Sequence, residues 1–294
     1  DSVDSIQTQP GHPGEPVGRN ANRIGGAKFT LNGVTYELAK NSAEVNNLHS
    51  GPDYYRDRIW DAEVEETALG TTITFGLHSP DGDQGYPGNA DITVSYTLTP
   101  DNCLKLDYHM VSDADTIANF TNHVYFNLGG YKSGSALDQK VWIDADYFTA
   151  TDANSIPTGK LVAVKGTPMD FTEMKPIGRD IQEDYQALKY GNGYDHNWAL
   201  NHPAGELSLS AKAEDEKTGR TMEVYTDLPG VQFYTANSLK TERGKNHAVY
   251  TPRCGYCFET QYFPDAINQP EFASPVIKAG EEYKTTTIYK FGVK

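Results

Sequence analysis

Four stretches of this chain set polar side chains among apolar or aromatic neighbours, where an unpartnered polar group would be costly. The first is Thr121-Asn-His123-Val-Tyr-Phe-Asn-Leu-Gly129. Read as a strand, it puts His123, Tyr125 and Asn127 on one polar, aromatic face opposite Val124, Phe126 and Leu128. Imidazole titrates nearest neutrality, so His123 is a candidate acid or base in a site wall; the plainer alternative is a hydrogen-bonded core histidine. The second stretch, Gly255-Tyr-Cys-Phe-Glu259-Thr-Gln261-Tyr-Phe263, places a carboxylate amid four aromatics. Desolvation there disfavours the ionised form and should raise the Glu259 pKa towards the range of a general base; a salt-bridged strand glutamate is the alternative.

The third stretch, Gly191-Asn-Gly-Tyr-Asp195-His196-Asn-Trp198, sets a carboxylate near an indole. Sugar sites use that pairing, the carboxylate accepting from hydroxyls and the ring giving an apolar platform; a turn or cap aspartate is the commoner use. The fourth runs from Gly18-Arg-Asn-Ala-Asn-Arg23-Ile24 to Asn47-Leu-His49-Ser-Gly51, where Arg23 and His49 sit in turn-rich contexts that can present fixed donors to a ligand. The sequence carries no G-x-S-x-G, H-E-x-x-H, phosphate-binding loop or G-x-G-x-x-G. Cys254 and Cys257 form a lone C-x-x-C with neither a second pair nor a nearby histidine pair, so structural thiols are expected and no metal site.

The elements that must position these residues are strands. Apolar alternation recurs in Ile73–Leu77, Ala90–Leu98, Leu104–Met110, Val141–Ala145, Leu207–Ala211, Met222–Thr226 and Thr285–Phe291, and Asn32-Gly33 marks a hairpin within Lys28–Leu38. Ile181 to Lys189 is the one modest helical candidate. No linker, charge block or repeat divides the chain, so residues 1–294 are expected to form one all-β domain, a large antiparallel β-sandwich.

Composition narrows the function. Forty acidic against twenty-five basic residues give a net charge of −15, which disfavours nucleic acid and anionic membrane surfaces as partners. No run approaches the roughly 20 apolar residues of a membrane helix. The first ten residues lack a basic region followed by an apolar run, and an odd, small number of cysteines is no disulfide framework, so a cytoplasmic location is expected. The oligomeric state is not readable.

Taken together, the stretches resemble the aldose 1-epimerase (galactose mutarotase) family. Eight segments carry the resemblance in order: Gly18–Ile24; Asn47–Gly51; Ser79–Gly82 with Gly85–Gly88; Asn122–Leu128; Asp152–Gly159; Gly193–Asn197; Gly230–Thr235; and Phe258–Gln261 with Phe263–Pro270. The resemblance implies the mutarotase-like β supersandwich and a cofactor-free interconversion of α and β anomers of free aldohexoses such as galactose and glucose. It implies Glu259 as the base that takes the anomeric hydroxyl proton and His123 as the acid at the ring oxygen. His49 resembles a second histidine near that oxygen, and Asn22, Arg23, Asp195 and Gln232 resemble sugar-hydroxyl contacts.

Two departures stand out. Family members carry further N-terminal strands before the Gly18 motif, whereas here a polar, Pro/Gly-rich lead of seventeen residues precedes it. The chain is therefore expected to lack the usual N-terminal strands or to cover its sheet edge differently, residues 1–17 being atypical. Ser50 stands where the family often has glycine. Three other functions compete: an epimerase of phosphorylated hexose, which needs more cations than Arg23; a glycosidase using Asp195 and Glu259; and a catalytically silent sugar-binding sandwich. The last has no need of an acid and a base, and both His123 and Glu259 are present.

Overall fold

The computed structural model describes residues 13–241 and 244–294; the first twelve residues of the polar lead lie outside these. Two antiparallel sheets carry the fold. The larger has nine strands, ordered Lys175–Pro176, Lys140–Ile143, Ser208–Glu214, Arg220–Thr226, Glu282–Val293, Cys103–Ser112, Ala90–Leu98, Gly70–Ser79 and Asp61–Thr67. The smaller has five, ordered Pro157–Ala163, Tyr147–Thr151, Asp195–Ala199, Gly230–Tyr234 and Cys257–Gln261. Every alternating run expected as a strand overlaps one, and the Asn32-Gly33 turn closes Lys28–Leu31 on Val34–Glu37 with both turn residues at positive φ. The edge strand Asp61–Thr67 carries Asp61, Glu63, Glu65 and Glu66, charges that oppose pairing with another edge.

Two expectations are corrected. The one α-helix among the described residues is Gln186–Gly191, later than the expected Ile181–Lys189. Backbone donors before it are spent on tight turns, Glu183 N on Asp180 O and Tyr185 N on Glu183 O, so the helix starts only after Tyr185. Thr121–Gly129 is not one strand either. Thr121–Asn122 pairs with Pro16–Val17, and Phe126 then bridges to Tyr256 instead, so the run changes partner in its middle. No helix among the described residues is long and apolar enough to cross a membrane.

The two-residue period of a strand decides what the small sheet presents. His196, Trp198, Val231, Phe233, Phe258 and Thr260 point towards the large sheet. There Phe233 stacks on Phe258 at 5.2 Å, and Tyr289 of the large sheet donates to Phe258 O at 2.9 Å. The opposite face of the same strands carries Asp195, Asn197, Gln232, Tyr234, Cys257, Glu259 and Gln261. Register sets Gln232 between Asn197 and Glu259, and Tyr234 between Asp195 and Cys257. This polar face is buried as well, because irregular segments fold over it.

One of those segments is pinned by Arg19, which is fully buried. Its guanidinium donates to Ser79 O at 3.1 Å, Ser79 Oγ at 2.8 Å, Pro80 O at 3.2 Å and Pro87 O at 2.8 Å. The Ser79-Pro and Tyr86-Pro segments are thus a socket for Arg19. Beside it, Ser50 Oγ bonds the backbone N and O of Asn20 and the Tyr86 hydroxyl, each at 3.0 Å. Replacing Arg19 with Met leaves those carbonyls without a donor in a dry interior. Urea unfolding should then show a loss of about 3–5 kcal/mol; an unchanged midpoint would mean the socket holds nothing.

Candidate active site

Two loops lower their side chains onto the polar face. Asn22 has left-handed backbone, φ 64°, a region asparagine tolerates. Its N–H donates to His49 Nδ1 at 3.1 Å and its carbonyl accepts from His49 N at 2.9 Å, which ties the two loops together. His49 and Ser50 are left-handed too, at 54° and 58°. Such backbone costs about 1–3 kcal/mol per non-glycine residue and gathers at functional sites. Arg23–Ile24 pairs with Asn47–Leu48, Asp265 N donates to Arg23 O at 2.8 Å, and Gly25 N donates to Asp265 Oδ1 at 2.9 Å. The proline-bracketed Pro264–Pro270 loop is thereby a clamp on the Arg23 segment.

Asn22, Arg23, His49, His123, Asp195, Gln232 and Glu259 all line one pocket of about 400 Å³, so the structure brings every expected site residue together. Tyr125 and Tyr234 form walls beside His123, their ring centres 5.0 Å and 6.1 Å from its own. Gln232 Nε2 donates to Asp195 Oδ1 at 2.7 Å, and Arg23 Nη2 lies 3.7 Å from Asp195 Oδ2. Beneath them, Gln261 donates to Asn197 Oδ1 at 3.2 Å and Gln232 Oε1 at 3.4 Å while accepting from Asn22 Nδ2 at 3.3 Å. A buried amide ladder therefore links Asp195 to the Asn22–His49 junction. Gly230 must be glycine because a Cβ there would strike Asn197 Oδ1 and the Phe263 ring.

Glu259 stands at the floor of the pocket, 2% exposed, with Oε1 3.6 Å from His123 Nε2 and Oε2 buried without a hydrogen-bond partner. Burial pushes its carboxyl well above the ordinary range, and the Asp195 carboxylate adds to this; Arg23 opposes it, and Glu15 contributes a further rise. A buried acceptor left open is what a hydroxyl-bearing ligand would fill.

His49, His123 and Glu259 offer atoms within 4.8 Å of one another, close enough to suggest a cation site. A ligating imidazole turns a bare nitrogen to the ion and donates from the other. The Asn22 N–H already donates to His49 Nδ1, so the neutral ring carries its proton on Nε2. The set suits hydrogen-bond donation and proton transfer better than metal ligation.

The structure departs from two sequence readings here. Trp198 is no sugar platform: parity turns it into the core, fully buried, where Nε1 donates to Met169 O. Asn127 lies outside the pocket and fastens loops, donating to Cys254 O at 2.8 Å and Gly134 O at 3.0 Å. Sequence reasoning missed Tyr234, Cys257, Asn197 and Gln261. Each lies two residues from a recognised site residue on the same strand, so period-two parity alone would have found them. It also missed Lys240, an exposed second cation on the pocket wall.

This fold and site define a carbohydrate-active β-sandwich whose polar pocket sets a buried carboxylate beside an imidazole. The aldose 1-epimerase family model matches residues 1–290. The bovine (Bos taurus) galactose mutarotase is 42% identical over 289 residues, covering 98% of this chain and 81% of that protein. An aldose 1-epimerase of Haemophilus influenzae is 38% identical over 304 residues, covering 98% and 83%. Among solved structures, a GalM/aldose epimerase homologue from C. elegans superposes with a TM-score of 0.88 at 25% identity, covering 100% of this chain and 86% of that one. The galactose 1-epimerase of Lactobacillus acidophilus gives 0.87 at 26%, covering 100% and 83%. The chain belongs to the aldose 1-epimerase family.

The electrostatics can be read directly. Infrared difference spectra against Glu259→Gln should place the Glu259 titration well above the usual carboxylate midpoint. Asp195→Asn removes the largest charge that raises it and should move that midpoint to lower pH; no movement would show that burial alone sets it.

Proposed function

We propose that this chain interconverts the α and β anomers of free aldohexoses, with Glu259 as base and His123 as acid. The observation that carries the reading is the buried Glu259 carboxylate, Oε1 3.6 Å from His123 Nε2 and Oε2 unpartnered, at the floor of a pocket walled by tyrosines and polar side chains. A pocket of about 400 Å³ is at the small end for ligand sites, which suits a single pyranose.

Anomerisation moves one proton off the anomeric O1 and one onto the ring oxygen O5. Glu259 takes the O1 proton, the freed electron pair becomes the carbonyl bond, and the C1–O5 bond breaks with its pair going to O5. His123 supplies the proton that O5 needs. His49, its Nε2 carrying a proton, donates to the same oxygen and steadies the developing charge. Rotation of the C1 end and reclosure from the other face reverse both transfers. Asp195 and Gln232 accept and donate to sugar hydroxyls, and Arg23 and Asn22 complete that grip.

The reading treats the whole chain as one catalytic unit, since both sheets draw strands from interleaved stretches. All three cysteines are free thiols, which suits the reducing cytoplasm expected for the chain.

Polarimetry on freshly dissolved α-D-galactose and α-D-glucose tests the proposal. The wild-type chain should speed equilibration beyond the buffer rate. Glu259→Gln and His123→Asn should each lower kcat about 10²–10⁴-fold with little change in KM. Asp195→Ala should chiefly raise KM. Wild-type rates in the Glu259 variant would remove it as the base.

A further inference from the structure

His196 is a buried imidazole, 1% exposed, that the proposed proton transfers do not use. Its side chain points away from the pocket, its ring centre 6.0 Å from that of Phe148 and 6.3 Å from that of Trp198, both nearly perpendicular to it. Yet its Nδ1 accepts from the backbone N–H of Asp195 at 3.1 Å, and its other nitrogen donates to the Ala187 backbone in the helix Gln186–Gly191. His196 thus joins the helix to the residue whose carboxylate accepts from Gln232 on the pocket wall.

The sheet explains why Asp195 needs that partner. Thr235 N donates to Tyr194 O at 3.0 Å, so alternation along an antiparallel pair makes Asp195 and Tyr234 opposite members of a non-hydrogen-bonded pair. The Asp195 N–H therefore turns to the other side, where Tyr147–Thr151 is in register only with Trp198 and Ala199. Beyond the end of that ladder, His196 Nδ1 is what meets it. Only a neutral ring can accept at Nδ1 while donating at Nε2, because the protonated ring donates from both nitrogens. Burial pushes its pKa down to about 4, against the opposing pull of the Asp195 carboxylate and of the Ala187 bond; Arg23 adds to the fall. Gly191 leaves the ring its room, since a Cβ there would lie 3.0 Å from His196 Cε1.

We propose that His196 is a positioning residue for Asp195: a neutral imidazole that clips the Asp195 amide to the helix Gln186–Gly191 and so fixes where the carboxylate meets a sugar hydroxyl. The inference rests on the sugar-binding role proposed for Asp195. It assigns the single helix among the described residues a task in the site, reached from the core side of the sheet.

The test combines tautomer, affinity and rate. ¹⁵N-histidine NMR of the full chain, with the His196 signals assigned by their loss in His196→Asn, should show a neutral ring protonated at Nε2 from pH 8 down to pH 5. His196→Leu removes both bonds and should raise KM for galactose, and its Kd by calorimetry, about 3- to 10-fold with kcat within about twofold of wild type. His196→Asn keeps an acceptor for the Asp195 amide, its Oδ1 standing where Nδ1 was, and should recover much of that affinity. A ring that titrates near the ordinary imidazole value, a loss confined to kcat, or a Kd unchanged in His196→Leu beside a raised one in Asp195→Ala overturns the positioning role alone. An asparagine variant as folded as the leucine one and no better at binding overturns it too. If Asp195→Ala itself leaves Kd unchanged, the sugar-binding role of Asp195 fails and the positioning role falls with it.

Discussion

Everything in this site follows from burying one carboxylate on the wrong side of a β-sheet. An ordinary antiparallel sheet keeps one face for the core and gives the other to water. The five-stranded sheet here has a second face that is polar and also largely buried, and Glu259 sits on its edge strand with one oxygen unpartnered. Removing such a group from water opposes folding by several kcal/mol. The opposite face must more than offset that, and the stacked Phe233–Phe258 pair with Trp198 beside it, wholly buried against the large sheet, supplies the apolar area. The core side of these strands thus makes the chemistry of their other side tolerable.

Sheet geometry alone would leave the polar face wet. The cover is irregular chain, which cannot hold itself by a ladder and must be fastened residue by residue. Arg19 is fixed in carbonyls from two other segments, Ser50 bridges Asn20 to Tyr86, and Asp265 grips the backbone on both sides of Ile24. Left-handed backbone at Asn22, His49 and Ser50 is held because those fastenings over-determine it. Motif segments that touch no substrate are therefore legible as anchors for the few that do.

How far the sequence revealed this depended on which rule governed each residue. Strand alternation exposed the large sheet almost entirely, since its strands follow the two-residue period over long runs such as Ala90–Leu98. It failed at Thr121–Gly129, where the partner changes within the run, and at Ile181–Tyr185, where local turns consume the donors a helix needs. Asn22 and Gln232 entered only through family resemblance, because a lone amide carries no periodic signal. The direction of the Glu259 shift was foreseen for a partly mistaken reason. Phe258, its neighbour in sequence, faces away, and it is the folded cover and Asp195 that raise the pKa. Trp198 was misread for the same cause: neighbours in a strand sequence lie on opposite faces.

A raised carboxyl on the strand Cys257–Gln261 and an imidazole brought to it from the loop after Thr121–Asn122 also explain why the site can be self-contained. In the proposed mechanism, ring opening loads a proton on Glu259 and removes one from His123, and reclosure from either face returns both. The protein ends each cycle in the state in which it began, with no net exchange with solvent. That closure asks for a carboxylate able to take a proton, and desolvation raises the Glu259 carboxyl well above its ordinary range. A water-exposed glutamate would be a weaker base. Burying the carboxylate is thus what equips it for the role the proposed mechanism gives it.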